Sequence, residues 1–200
     1  MYGVVMKDPT GGLAPYMETA MPGLSTEELY THWIAASNGS FGSHEFFRRI
    51  GFDDPHRAER EYLDTIELDD GFIPEAERLR GMGMKLALLS NDISEWSLWL
   101  RQKYGLDRLF DAVAVSGDVG FTKPDARIFK LVSQRLDIAP EQCVYIDDRE
   151  RFLTAAEALG MTAVLFNSRN VVYDGPSVRS FAELGRLLDG ILEAENARQL

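Results

Sequence analysis

The chain has 200 residues, 45% of them hydrophobic and 26% charged, with a formal net charge of −11. That length suits one domain, or a core domain with an insertion, and it can bury a full core without staples. The acidic balance argues against nucleic acid as a partner, because phosphate backbones require clustered Lys and Arg, and equally against an anionic membrane surface. Cys143 is the single cysteine, so no disulfide framework or Cys-based metal site is expected within one chain. No secretory leader is legible, and no apolar run approaches the roughly 20 residues that span a bilayer. A cytoplasmic location is the expectation.

In chain order, the first apolar run covers residues 3–7 and reads as a strand that stops at Asp8. Pro9, Thr10, Gly11 and Gly12 follow, all turn-forming types. From residue 14 to about 72 no convincing strand is visible. Ser25 with Glu28 resembles a capping box ahead of a helical face of Leu29, Tyr30, Trp33 and Ile34. Ser43 is expected to cap a second short helix carrying Phe46, Phe47 and Ile50, closed by Gly51, and residues 57–66 read as a third. This helical insertion reads equally well as an active-site lid or as an extra piece of core.

Beyond it, residues 85–90, 112–116, 144–147 and 162–166 are short apolar runs without alternation, as in parallel strands covered on both faces. Helical spacing fills the gaps between them. Trp96, Leu100 and Tyr104 share one face, as do Ile128, Leu131, Val132 and Leu136. Phe152, Ala155, Ala156 and Leu159 share another before Gly160. Ser180 with Glu183 opens a last helix with Leu184, Leu187, Leu188 and Ile191 facing inward. Alternating strands and helices give an α/β fold with a parallel sheet.

Ligands of such sheets bind at the carboxyl ends of the strands. There the sequence puts Asp8 after the first run, Ser90 and Asn91 after KLALLSN, Lys123 in GDVGFTKPDARIF, and Asp147 and Asp148 after CVYIDD. Taken singly, each has a bland reading as a turn, a cap or a solvated loop. Together they are complementary. A carboxylate can attack phosphorus, Mg²⁺ takes oxygen ligands, and Ser, Asn and Lys can hold phosphate oxygens.

The motifs DPTGG, LLSN, KPDARIF and IDD, with GMGMKLALLSN and AAEALGM between and after them, resemble the haloacid dehalogenase-like (HAD) hydrolases. The likeness is to the subgroup with a small helical cap, subfamily I with a C1-type cap. It implies a Rossmann-like three-layer core, residues 1–13 and 73–200, and a helical cap, residues 14–72. It implies a Mg²⁺-dependent phosphatase of a small phosphorylated metabolite. Asp8 would be the nucleophile and Ser90, Asn91 and Lys123 the phosphate holders. Asp8, the Thr10 carbonyl, Asp147 and Asp148 would be the metal ligands.

Thr10 stands where family phosphatases carry a second Asp as general acid and base, a role worth about 10²–10⁴ in rate. Asp-x-Thr-Gly also occurs in the ion-pumping ATPases of the superfamily. A catalytically weak or inactive binding protein is therefore an alternative expectation, and a dehalogenase a lesser one, since the Asp pair favours phosphate chemistry. Lys7 and Phe152 also depart from the family pattern. Cys143 reads as a small core hydrophobe, and His32, His44 and His56 lack metal-ligand spacing. The substrate and the oligomeric state, monomer or homodimer, stay open at this stage.

Overall fold

The computed structural model describes residues 1–198. The chain opens with β1 (Met6–Lys7), then four helices, α1 (Leu13–Ala20), α2 (Thr26–Ser37), α3 (Ser43–Arg49) and α4 (Pro55–Asp64). Next come β2 (Glu67–Leu68), α5 (Phe72–Gly81), β3 (Ala87–Ser90), α6 (Ser94–Lys103) and β4 (Ala112–Val115). The rest is α7 (Ser116–Val119), α8 (Ala126–Leu136), β5 (Val144–Asp147), α9 (Glu150–Glu157), β6 (Thr162–Phe166), β7 (Ser177–Val178) and α10 (Phe181–Arg198).

The parallel pairing is as expected, with β3 beside β4 and β5 beside β6 beside β7. The sheet is nevertheless in two halves, because β3 and β5 do not pair. The side chains show that the halves share one pair of faces. Leu86 and Leu88 pack into the same large cluster as Val144 and Ile146. Ala87, Leu89 and Tyr145 pack into a second cluster with α8, on the opposite face. Two helical layers thus sandwich both half-sheets, the three-layer arrangement of an α/β core.

Residues 3–7 do not form the first strand of the parallel sheet. Gly3 has φ 78°, a left-handed value that an extended strand does not allow, and residues 1–6 fold on themselves with Val5 N donating to Met1 O at 2.9 Å. Only Met6 and Lys7 are extended, and they pair antiparallel with Leu68 and Glu67, a strand absent from the sequence reading.

The capping expectations fare better. Ser25 Oγ accepts from Glu28 N at 3.1 Å, and Ser180 Oγ accepts from Glu183 N at 3.2 Å. Ser43 is the first residue of α3 rather than its cap, which is Gly42. The helices of the insertion do not stand apart. Trp96 of α6 lies 5.5 Å from the ring of Phe46, 5.8 Å from Phe47 and 5.1 Å from Tyr62, joining α3 and α4 to the core. Among the described residues no helix is long and apolar enough to cross a membrane.

Candidate active site

Parallel strands bring their carboxyl ends to one edge, and four of the expected residues meet there. Ser90 closes β3 and is buried. Asp147 closes β5 and Asp148 follows it, both buried. Lys123, 6% exposed, reaches in from the loop before α8. Its Nζ donates to Asp147 Oδ2 at 2.6 Å and to the Leu89 carbonyl at 3.3 Å, so it touches both half-sheets. The Lys123 ammonium also lies 4.8 Å from the ring centroid of Phe152, which puts that departure from the family pattern against the site.

The two carboxylates differ in their partners. Asp147 Oδ2 also accepts from the Tyr145 hydroxyl at 2.6 Å, and Oδ1 accepts from Arg149 N at 3.0 Å. Burial pushes the Asp147 carboxyl up, but Lys123 and the Tyr145 hydrogen bond, with the nearby Met1 amine, outweigh it and hold it below the usual range. Burial, and then Asp147 itself, push the Tyr145 phenol well up. Asp148 Oδ2 accepts from Arg169 Nε at 2.6 Å, and Arg169 is half-exposed. Gly3 lies flat against this carboxylate, where a Cβ would come 2.5 Å from Asp148 Cγ.

Asn91, expected to hold phosphate, has its side chain engaged with the lysine loop. Its Nδ2 donates to the Lys123 carbonyl at 2.9 Å and its Oδ1 accepts from Lys123 N at 2.8 Å, so the amide clamps the lysine loop. Asp8 and Thr10 are bonded to each other. Thr10 N donates to Asp8 Oδ1 at 3.0 Å, and the Thr10 hydroxyl donates to the same oxygen. This is an Asx-type turn. Among the described residues no hydrogen bond or ion pair joins either of them to Ser90, Lys123, Asp147 or Asp148. Lys7, beside them, pairs with Asp69 at 3.1 Å.

Sequence reasoning missed Asp92. It is buried, its Oδ1 accepts from Ile93 N at 2.9 Å, and its Oδ2 has no hydrogen-bond partner. Burial raises its carboxyl to about 8. The available signal was an acid two residues beyond a strand-end serine. Tyr145, Arg149 and Arg169 were also missed. Only Tyr145 was legible, because two residues before Asp147 on one strand means the same face. At the same edge the Met1 ammonium is buried and donates to Ser90 Oγ at 3.4 Å. Burial, and then Lys123, push this amine down to about 6.

As a metal site, the edge offers two adjacent buried carboxylates, with no hydrogen bond to Asp148 Oδ1 among the described residues. Among the described residues no group of three or more His, Cys, Asp or Glu side chains forms a metal-holding cluster. That donor set fits Mg²⁺, which commonly uses one or two carboxylates and completes its octahedron with water and substrate phosphate. It excludes a self-sufficient all-protein cage.

The haloacid dehalogenase-like hydrolase model matches residues 23–160, a span that includes Ser90, Asn91, Lys123, Asp147 and Asp148 but neither Asp8 nor Thr10. Phosphatase MT3486 of Mycobacterium tuberculosis is 28% identical over 187 residues, covering 84% of this chain and 85% of that protein. A glyceraldehyde 3-phosphate phosphatase of Methanopyrus kandleri is 31% identical over 157 residues, covering 70% of this chain and 66% of that protein. Among solved structures, a variant HAD-family enzyme of Bacteroides thetaiotaomicron, in complex with magnesium and inorganic phosphate, superposes with a TM-score of 0.72. It is 18% identical, with 86% of this chain and 93% of that chain covered. Motif order, α/β architecture and a family match over most of its length together show that this chain belongs to the haloacid dehalogenase-like hydrolases.

Proposed function

We propose that this protein hydrolyses phosphate monoesters of small metabolites, taking an ester and water to an alcohol and inorganic phosphate. The observation that carries the reading is the buried Lys123–Asp147 pair beside the Ser90 hydroxyl and Asp148 at the carboxyl edge of the sheet. In a chain of net charge −11, a buried ammonium clamped by Asn91 is a local anion site. Lys123 offsets phosphate charge and Ser90 donates to a phosphate oxygen. Asp147 keeps Lys123 charged and aimed. The phosphatase relatives support the same substrate class.

Mg²⁺ belongs to this proposal, held by Asp148 and Asp147, with water and the substrate completing its shell. When bound it neutralises phosphate charge and polarises phosphorus for attack. Arg169, half-exposed, pairs with Asp148 Oδ2 and would have to release that oxygen for it to join Asp148 Oδ1 on the ion. The helical segment 14–72 serves as the cap that selects the substrate over a core of 1–13 and 73–200, and the cytoplasm is the proposed location. The attack is not assigned to Asp8, since Thr10 engages one of its carboxylate oxygens and, among the described residues, no hydrogen bond or ion pair joins it to the anion site.

The test is phosphate release from an aryl phosphate and a panel of sugar and amino acid phosphates with Mg²⁺. Hydrolysis that falls at least about tenfold in Asp148→Asn, and on chelation of the metal, supports the reading. Hydrolysis indifferent to both overturns it. Phosphate binding without turnover would instead favour the binding-protein alternative.

A further inference from the structure

The inner edges of the two half-sheets, on β3 and β5, are not paired with each other. Backbone groups of a strand point alternately to its two neighbours. Leu86 O accepts from Asp111 N ahead of β4, so Ala87 and Leu89 turn their N–H and C=O groups the other way, towards β5. Cys143 O accepts from Thr162 N of β6, so Val144 and Ile146 turn theirs towards β3. Among the described residues, the one bond found for these four across their inner edges is from Lys123 Nζ to Leu89 O, at 3.3 Å.

Exposure follows the same line. Ala87, Leu89, Val144 and Ile146 are all only half-buried, whereas Ala114 of β4 and Val164 and Leu165 of β6 are 0% exposed. In a doubly wound sheet the central strands are the most enclosed, so this order is inverted. The two edges run in the same direction. Lys123 spans their carboxyl ends, and a cavity of about 40 Å³ lined by Met84, Val144, Leu188 and Ile191 lies at their amino ends.

We propose that the seam between β3 and β5 seats one further parallel strand, contributed by polypeptide joined to the amino side of Met1. The Met1 nitrogen marks the exit of such a strand. It is buried at the carboxyl end of the seam, and among the described residues its one hydrogen bond is the long one to Ser90 Oγ, at 3.4 Å. A peptide N–H there needs one partner and carries no charge to desolvate. Covered on both faces, the strand is an apolar run of about four to six residues rather than an alternating one. Entering beside the cavity and leaving at Ser90, it closes the sheet into one piece and places its last side chains among Ser90, Lys123 and Asp148. The inference stands on backbone pairing and does not depend on the proposed phosphatase activity.

Amide hydrogen exchange followed by NMR tests it on two proteins, the 200-residue chain and the protein purified from its natural source with its amino terminus sequenced. The amide of Val164 in β6 is the internal reference. The expected result is fast exchange at Ala87, Leu89, Val144 and Ile146 in the 200-residue chain. In a natural protein that starts upstream of Met1, the proposal expects exchange at these four to be at least about 100-fold slower. Protection of the four amides in the 200-residue chain overturns the proposal. So does a natural protein that begins at Met1, or a longer one in which the four exchange as fast as before.

Discussion

Two stretches of this chain look alike in sequence and end up doing different things. Residues 3–8 and 143–148 are both short apolar runs finished by a carboxylate. The second becomes β5, paired with β6 over four residues, and its Asp147 receives Lys123, Tyr145 and a backbone amide. The first bends at Gly3, leaves two residues in a small antiparallel pair with β2, and spends its Asp8 on a local turn. An apolar run with a terminal acid is enough to propose a strand. What the carboxylate does depends on neighbours supplied from far along the chain.

Variants can break this contrast. The largest effect is expected from Lys123→Met, which removes the cation from the anion site. Hydrolysis should fall by about 10²–10³, and the buried Asp147 left without its partner should cost about 3–5 kcal/mol in denaturant unfolding. Unchanged kcat/KM in a folded variant would show that Lys123 only braces the strands. Next comes Trp96→Ala, at about 3–5 kcal/mol. Because Trp96 joins the insertion to α6, one cooperative transition should shift as a whole, and a new separate transition would mean the insertion folds independently.

Asp92→Asn should act in the opposite direction. The folded carboxyl sits at about 8 against an ordinary value of 3.8. The folded state therefore keeps a proton that the unfolded chain releases, and stability is lost as pH rises from about 4 to about 8. The variant should gain about 1–3 kcal/mol over wild type at pH 8, with the gap closing towards pH 4. A gap that does not vary with pH would mean Asp92 is ionised throughout. The smallest effect is expected from Asp8→Asn. Hydrolysis should change by less than about twofold, with up to about 1 kcal/mol lost from the turn. Abolished activity would restore Asp8 to the chemistry and erase the contrast between the two stretches.

Most of the parallel sheet was legible because its strands are short, apolar and bounded by turn residues. Residues 144–147 and 162–166 coincide with β5 and β6. The site was legible as far as side chains at strand ends go, so Ser90, Lys123, Asp147 and Asp148 come together. The clamp by Asn91 could not be read, since it depends on which way one amide turns. Nor could Arg169, brought to Asp148 from 21 residues away by the loop after β6. The position of residues 1–8 escaped for the same reason. A positive φ at Gly3 and a pairing with residues 67–68 are not marked by any local pattern.

Phosphate is proposed to bind at the carboxyl edge through Lys123 and Ser90. Calorimetric titration of inorganic phosphate, with Mg²⁺ present, into wild type, Ser90→Ala and Lys123→Met tests it most directly, with circular dichroism to confirm that each variant is folded. The expected result is measurable binding by wild type, weakened at least about tenfold in each variant, as when a hydrogen bond to a charged group is lost. Equal affinity in wild type and folded Lys123→Met would contradict it.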